Sequence, residues 1–153
     1  MDERALEAYL QRHIPLARAM QVTARRVTPD SVELLLPLTP NLNHRDTAFG
    51  GSIAAAAILA AWSLVSVRLA REAVHARLVI QRQEVEYDRP VETDFSARAY
   101  LEEPAAWERF VHTLRRRGRA RLSVACEIAA AGACAARFEG AFVALLSPGK
   151  PPI

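Results

Sequence analysis

The stretch that decides the fold is GGSIAAAAILAAWSLVSVRL, residues 50–69. Apolar side chains occupy nearly every face of a helix drawn through this segment, and a helix that is apolar all round must be enclosed by the rest of the protein. Its longest unbroken apolar run, residues 53–62, has ten residues, well short of the ~20 that span a bilayer. The stretch therefore predicts a buried core helix, and we expect no membrane contact.

Most of the remaining chain is patterned as β-strand. Apolar and polar residues alternate with a period of two, most clearly from Ala120 to Ile128, which is typical of a half-buried strand. Strands are predicted at residues 22–27, 32–38, 78–87, 95–101, 120–128 and 138–144. The last two form a hairpin with a turn near Gly132. A register centred near Ala130 would place Cys126 opposite Cys134, where an adventitious disulfide could form.

Two further helical segments flank the strands. Residues 3–19 carry apolar side chains at helical spacing and predict an amphipathic helix that Pro15 kinks or ends. Residues 104–117 are compatible with a short helix or an extended loop. We expect one domain over residues 1–147 and a flexible tail at 148–153, which contains three prolines.

Composition excludes several classes of protein. Of 153 residues, 51% are hydrophobic and 24% charged, a globular balance, and a net charge of +3 is far from that of a nucleic-acid-binding domain. Asp2 and Glu3 stand where a signal peptide has basic residues, so we expect a cytoplasmic protein. Two cysteines, with no His or Cys at ligand spacing, predict no metal site, and we expect no cofactor.

One wholly buried helix in a mainly antiparallel β-chain has few packing solutions. The sheet must curl around the helix to cover it. The predicted fold is therefore α+β, of the hotdog type, with an antiparallel sheet wrapped around a central helix.

Two motifs beside the helix resemble those of a known family. The residues NLNHRDTAFGGS at 41–52, followed by YDRPV at 87–91, are similar to the hotdog-fold thioesterases, and more narrowly to the thioesterase-like family typified by the C-terminal domain of the bacterial protein YiiD. The resemblance implies a dimer or a dimer of dimers, joined edge to edge, with acyl-CoA or acyl-carrier-protein sites at the subunit interface.

The glycines at the start of the helix are suited to thioester chemistry. Attack on a thioester carbonyl builds negative charge on oxygen, and backbone N–H groups at a helix N-terminus are pre-aimed donors. Gly50 and Gly51 allow close approach of a ligand to these donors. The alternative role of both glycines is tight packing of the helix against a strand.

Water must also be activated. Asp46 is the first candidate base, with a turn or helix-capping carboxylate as its alternative role. His44 is the second candidate, and its alternative is an ordinary surface residue. Asn43 would hold the water or the substrate amide, unless its side chain only forms an Asx turn.

Five more residues are assigned to substrate binding. Thr47 and Ser52 would orient water or cap the helix, Phe49 lies within the motif, and Ser63 is the first polar group deeper in the helix. The alternative role of Ser63 is a hydroxyl bonded to the preceding helical turn. Gln83, with Gln81, interrupts a predicted face formed by Val79, Val85 and Tyr87, where it would line a polar part of the pocket.

The sequence also departs from better-understood hotdog enzymes. Residues 54–59 are AAAAIL, so the helix has no carboxylate two turns beyond the glycines, and neither an acidic-helix mechanism nor a His/Glu dehydratase mechanism transfers. A non-catalytic acyl-CoA or acyl-carrier-protein binding module is therefore the alternative to a hydrolase. The arginines at 115–121 would meet coenzyme A phosphates or only form a solvated face.

Overall fold

The computed structural model describes residues 1–147. The predicted tail at 148–153 lies outside the described residues. The elements are α1 (Glu3–His13), α2 (Pro15–Ala19), β1 (Thr23–Val27), β2 (Ser31–Leu36), a 3-10 turn (Thr39–Asn41), α3 (Gly50–Arg71), β3 (Ala76–Tyr87), β4 (Phe95–Tyr100), α4 (Ala106–Arg117), β5 (Arg119–Ala130) and β6 (Ala133–Leu146). The six strands form one antiparallel sheet in the order β1-β2-β4-β5-β6-β3. The predicted α+β hotdog architecture is confirmed.

Helix α3 lies at the centre of the fold. Twelve of its 22 residues are buried, and Ala60, Leu64 and Val65 are completely inaccessible, whereas a stripe that includes Ile58 and Trp62 is half-buried. By length and composition alone α3 could cross a membrane, but 67% of its most apolar window is buried inside the fold. It is the core helix around which the sheet curls.

The sheet has an inner face against α3 and an outer face turned away from it. On β5, Leu122 and Val124 are buried on the inner face, whereas Arg121 and Ser123 are exposed on the outer face. This alternation follows the predicted period of two.

Residues 104–117, for which the sequence allowed either a short helix or an extended loop, contain helix α4. This helix ends at Gly118, which adopts the left-handed conformation (φ 72°). The predicted break at Pro15 is also present, between α1 and α2.

The predicted register of the C-terminal hairpin is wrong. The turn is formed by Ala131 and Gly132, both at positive φ, and the ladder shifts by one residue next to it, so that Cys126 lies opposite Phe138 and Cys134 opposite Ala129. Cys126 is buried and Cys134 is exposed. The hairpin is centred between Ala131 and Gly132 rather than near Ala130, and the bulge adds one further residue, so Cys126 pairs four residues beyond Cys134 and the two cysteines are not cross-strand neighbours.

The two edges of the sheet differ. The β1 edge is covered by α1, since the carboxylate of Glu3 accepts from the Val27 N–H (2.9 Å) and that of Glu7 from the Ala24 N–H (3.1 Å). These two acids are four residues apart and share one face of α1. The β3 edge is the opposite end of the sheet, and most of its side chains beyond Ile80 are exposed. Only the β1 edge is capped by side chains in the part of the chain that the structure describes.

From the contact between the Glu3 carboxylate and the β1 edge we expect a contribution to stability that depends on pH. The N–H groups of Glu3 itself and of Val27 hold the pKa of the Glu3 carboxyl below its usual range, so the cap stabilises the fold above the unfolded-state pKa of about 4.3 and is lost as the pH falls through the lower folded-state pKa. We expect Glu3→Ala to be less stable than wild type in urea unfolding at pH 7, with the gap closing in acid. The exposed Glu92 serves as control: a Glu92→Ala variant should follow wild type at every pH. A gap for Glu3→Ala that stays constant down to acid pH would contradict the assignment.

Candidate functional site at the N-terminus of helix α3

The loop that leads into α3 is anchored at both ends. Asn41 is buried (1% exposed), and its side-chain amide donates to the carbonyls of Met20 (3.0 Å) and Pro37 (2.8 Å). Its own carbonyl accepts from the Phe49 N–H (2.7 Å), and the Ala48 N–H donates to Val91 (2.8 Å). The motif residues therefore hold the start of α3 against the end of β2 and the segment after β3.

Asn43 organises the middle of the loop. Its side-chain oxygen accepts from the N–H groups of Arg45 (2.8 Å) and Thr47 (3.2 Å), while its side-chain nitrogen donates to the Thr47 hydroxyl (2.8 Å). This arrangement is the Asx turn named above as the alternative. The amide of Asn43 is thus engaged inside the loop and fixes the position of Asp46.

Asp46 lies at the tip of this turn. It is exposed, and its φ of 60° places it in the left-handed region, which Asp and Asn tolerate better than most residues. Asp46 does not cap α3, because the N-cap position belongs to Phe49. His44, next to it, is also exposed, and its Nε2 accepts from the Arg45 guanidinium (3.3 Å).

Helix α3 begins without a side-chain cap. The N-cap Phe49 has extended backbone angles and no side-chain oxygen, and the first turn contains no acidic residue. Neither Thr47 nor Ser52 caps the helix, so that alternative is wrong for both. The N–H groups of Gly50, Gly51 and Ser52 have no acceptor within the helix. They form a set of parallel donors with the positive end of the helix dipole behind them.

Gly51 makes room for the ring of Phe49. A Cβ atom on Gly51 would lie 2.4 Å from Cε1 of Phe49, so the ring rests directly on the first turn of the helix. Phe49 itself is 56% exposed. Gly51 therefore packs against Phe49, the residue before the helix, and not against a strand.

Tyr87, the first residue of the second motif, also belongs to the site, although the sequence pattern did not predict it. Its hydroxyl donates to the Gly50 carbonyl (3.0 Å), and its ring lies 3.6 Å from where a Gly50 Cβ would stand. Tyr87 is the last residue of β3 and is 52% exposed. It ties the first turn of α3 to the open edge of the sheet.

Gln83 and Ser63 lie apart from the helix start. A bulge in β3 at Gln81 shifts the register between Ile80 and Arg82. The predicted common face is therefore wrong for Val79, which lies on the outer face, but Val85 and Tyr87 share the inner face. Gln83 lies opposite Gly140, on the inner-face side, and is exposed. Ser63 is completely buried, and its hydroxyl has no hydrogen-bond partner within residues 1–147; the predicted bond to the preceding turn is not formed.

The arginine run does not reach this site within one chain. Arg119 is the first residue of β5. Tyr87 lies opposite Ala136 on β6, which in turn lies opposite Ile128, near the other end of β5. Nine residues of strand separate Arg119 from Ile128, or about 30 Å at ~3.3 Å per residue. Arg115 pairs with Glu72 (3.5 Å), next to the last turn of α3.

The site therefore offers uncapped N–H donors, a small loop with one carboxylate and one imidazole, the ring of Tyr87 beside Gly50 and the ring of Phe49 beside Gly51. Within residues 1–147 there is no group of three side chains suited to hold a metal ion. Donors of this kind stabilise an anion that develops on a carbonyl oxygen. The arrangement is suited to acyl chemistry.

Comparison with known proteins identifies the fold and the family. A protein of unknown function from Chlorobaculum tepidum is similar over 95% of this chain and 94% of its own, with 25% identity and a TM-score of 0.89. A putative thioesterase from Shewanella oneidensis (22% identity, TM-score 0.84, 94% and 96% covered) and a thioesterase from Haemophilus influenzae (12%, 0.77, 97% and 94%) share the fold. The profile of the family described as "Putative thioesterase (yiiD_Cterm)" matches residues 3–146. The chain belongs to this thioesterase family.

Proposed function

We propose that the protein is a cytoplasmic acyl-thioester hydrolase that acts on acyl-CoA or on acyl-carrier-protein. The observation that carries the proposal is the N-terminus of α3, which no side chain within residues 1–147 caps, so that the N–H groups of Gly50 and Gly51 have no acceptor within the helix and lie beside an accessible loop. Family membership supports the same class of reaction.

In the proposed mechanism the thioester carbonyl oxygen binds to the N–H groups of Gly50 and Gly51. Water, held by Asp46, attacks the carbonyl carbon, and the negative charge that forms on oxygen is stabilised by these donors. Asp46 takes the proton of the water; as the tetrahedral intermediate collapses, the C–S bond breaks, Asp46 returns the proton to the leaving sulfur, and the thiol and the carboxylic acid are released. Asn43 positions Asp46 through the turn, and His44 is the second candidate for the base.

The remaining binding residues surround this point. Phe49 would contact the substrate over the first helical turn, with Thr47 and Ser52 beside the attacking water. Ser63 and Gln83 lie further from the helix start, and we assign them to the acyl portion of the substrate.

We further propose that two chains pair through their β3 edges, because an open strand edge is a template for another strand. The β3 strand is twelve residues long and contains no proline, and beyond its bulge at Gln81 the segment from Arg82 to Tyr87 is regular, so the backbone of that segment is available to a second strand. Pairing would place the partner subunit beside Tyr87 and Phe49. The substrate would then bind between two subunits.

Asp46→Asn is the direct test of the base. Asn also tolerates the left-handed backbone, so the turn should persist, and we expect thiol release from acyl-CoA to fall by about 10²–10⁴-fold with little change in binding. The measurement is turnover over a panel of short, medium and long acyl chains, on coenzyme A and on carrier protein. Glu92→Gln, another exposed carboxylate, is the matched control and should retain wild-type turnover.

The outcomes of this assay separate the candidate functions. Wild-type turnover in Asp46→Asn would exclude Asp46 as the base and direct the next substitution to His44. Saturable binding of acyl-CoA without thiol release by the wild type would instead indicate a binding module, the alternative suggested by the absence of a carboxylate at residues 54–59.

A further inference from the structure

The first half of β5 has a neighbouring strand on one side only. Strand β6 pairs with β5 along its whole length, but β4 pairs with it only from Ala125 to Ala130. Residues 119–124 therefore form a short open edge within the sheet, which we call the β5 edge. It is distinct from the edges formed by β1 and β3 at the two ends of the sheet.

Backbone groups along the β5 edge have no partner. The N–H and C=O groups of successive residues in a strand point alternately to its two sides, so half of residues 119–124 direct both groups away from β6. Within residues 1–147 the backbone of this segment forms no hydrogen bond outside the ladder with β6. A row of unpaired backbone groups is a template for another strand.

Helix α4 lines a groove beside the β5 edge. The groove has a volume of about 400 Å³, and β5 contributes residues 120–125 to it. One stripe of α4 lies opposite, at the spacing of a single helical face: Ala106, Arg109, Phe110 and Thr113. An exposed sheet edge in a groove is where extended peptides bind by strand addition, with the main chain supplying affinity and alternate side chains supplying specificity.

The shape of the groove suits a single strand. The open segment is about 20 Å long at ~3.3 Å per residue, and it ends at the loop of residues 101–105 on one side and at Gly118 on the other. Because α4 stands beside the segment, a second sheet would meet the helix before it reached β5. One extended segment needs only the width of a strand, ~4.8 Å.

The uncompensated charges around the groove are divided between its two ends. The exposed carboxylates of Glu102 and Glu139 lie near the loop end, whereas the exposed Arg121 and Arg119 lie toward Gly118. None of these four side chains forms an ion pair within residues 1–147. The other two charged groups that line the groove pair with each other (2.8 Å), Glu103 and Arg109.

We propose that the β5 edge binds an extended segment of a partner protein by strand addition. The segment continues the line of β4 and runs antiparallel to β5, so its first residues lie beside Glu102 and its last residues beside Arg121 and Arg119. Its complementary sequence is therefore basic at the start and acidic, at alternate positions, at the end. The residues between the acidic ones are apolar, because they lie on the side of the buried Leu122 and Val124.

A synthetic peptide with this pattern tests the proposal on the full chain. The probe is fluorescein-labelled KVTVEVE with blocked termini, and we expect saturable binding by fluorescence anisotropy. The reversed peptide, EVEVTVK, has the same composition but brings like charges together at both ends, and we expect it to bind roughly tenfold more weakly.

Methylation of the peptide backbone separates strand addition from charge attraction. Because N–H groups alternate between the two sides of a strand, N-methylation of one alternate set should weaken binding by roughly tenfold or more. Methylation of the other set should have little effect. Equal effects of the two sets would show that the peptide does not pair with β5.

Charge reversal in the protein tests the direction of the segment. Arg121→Glu should weaken binding of KVTVEVE by roughly tenfold, and the peptide KVTVKVE should bind this variant better than KVTVEVE does. Arg26→Glu, at an exposed arginine of β1 without an ion pair in the described part of the chain, is the matched control and should bind KVTVEVE as the wild type does.

Hydrogen exchange locates the bound peptide. We expect backbone N–H groups within residues 119–124 to gain protection when KVTVEVE binds. The proposal is overturned if the peptide does not bind saturably, if both peptide directions bind equally, or if Arg121→Glu binds like the wild type. Protection at residues 82–87 of β3, without protection at residues 119–124, would also overturn it, because the peptide would then occupy the other open edge.

Discussion

Gly50→Pro is expected to lower kcat for thioester hydrolysis by about 10²–10³-fold, the usual effect of removing one oxyanion donor. Gly50 is the first residue of α3, a position where proline is tolerated because its missing N–H has no partner within the helix. The preceding Phe49 has φ −64° and ψ 131°, which suits a residue before proline. The substitution therefore deletes one donor and leaves the helix in place.

The control for this variant is Gly50→Ala. A Cβ at this position would lie 3.6 Å from the Tyr87 ring, an ordinary contact, and the N–H is kept, so near wild-type kcat is expected. Steady-state kinetics with one acyl-CoA, together with circular dichroism to verify the helix, make the comparison. Equal kcat values for Gly50→Pro and Gly50→Ala would show that the Gly50 N–H does not polarise the carbonyl.

Phe142→Ala is expected to lower the free energy of unfolding by about 3–5 kcal/mol. Phe142 is completely buried, on β6 between β3 and β5, and it lies next to Gly140, where a Cβ would stand 3.0 Å from the Phe142 ring. Packing this close leaves a cavity when the ring is removed. Domains of this size have only ~5–15 kcal/mol of stability, so urea unfolding should show a large shift of the midpoint.

Phe49→Ala provides the matched comparison for stability, since the same ring is removed from a side chain that is 56% exposed. A loss below about 1 kcal/mol is expected there. A loss of that small size for Phe142→Ala would contradict the central place of β6 in the core.

The local sequence pattern was sufficient to predict the helices, the strands and the α+β class of the fold. The apolar segment at residues 50–69 predicted α3, and the alternation in β5 predicted which side chains are buried, because both periodicities are properties of a single segment. Pro15 marked the break between α1 and α2 for the same reason. Whether residues 104–117 form a helix depended on packing: Phe110 and Leu114 are buried against the sheet.

The register of the strands and the contacts between residues distant in the chain could not be predicted from the sequence in this way. The bulges in β3 and in the C-terminal hairpin each shift a ladder by one residue, and the shift depends on how two strands pair rather than on either strand alone. Tyr87 was missed for a related reason. Its hydroxyl donates to the carbonyl of Gly50, 37 residues away in the chain, and no pattern in the sequence predicts that contact.

The sequence by itself determined that one wholly apolar helix must be enclosed by an antiparallel sheet, and that two glycines stand at the start of that helix. Both follow from side-chain character along a continuous segment. Only the tertiary structure decided that the Tyr87 hydroxyl binds the Gly50 carbonyl, that the carboxylates of Glu3 and Glu7 cover the β1 edge, and which residues of β3, β5 and β6 lie opposite one another. These properties arise between segments distant in the chain, and the partners of each hydrogen bond and each charge are set only when the strands align.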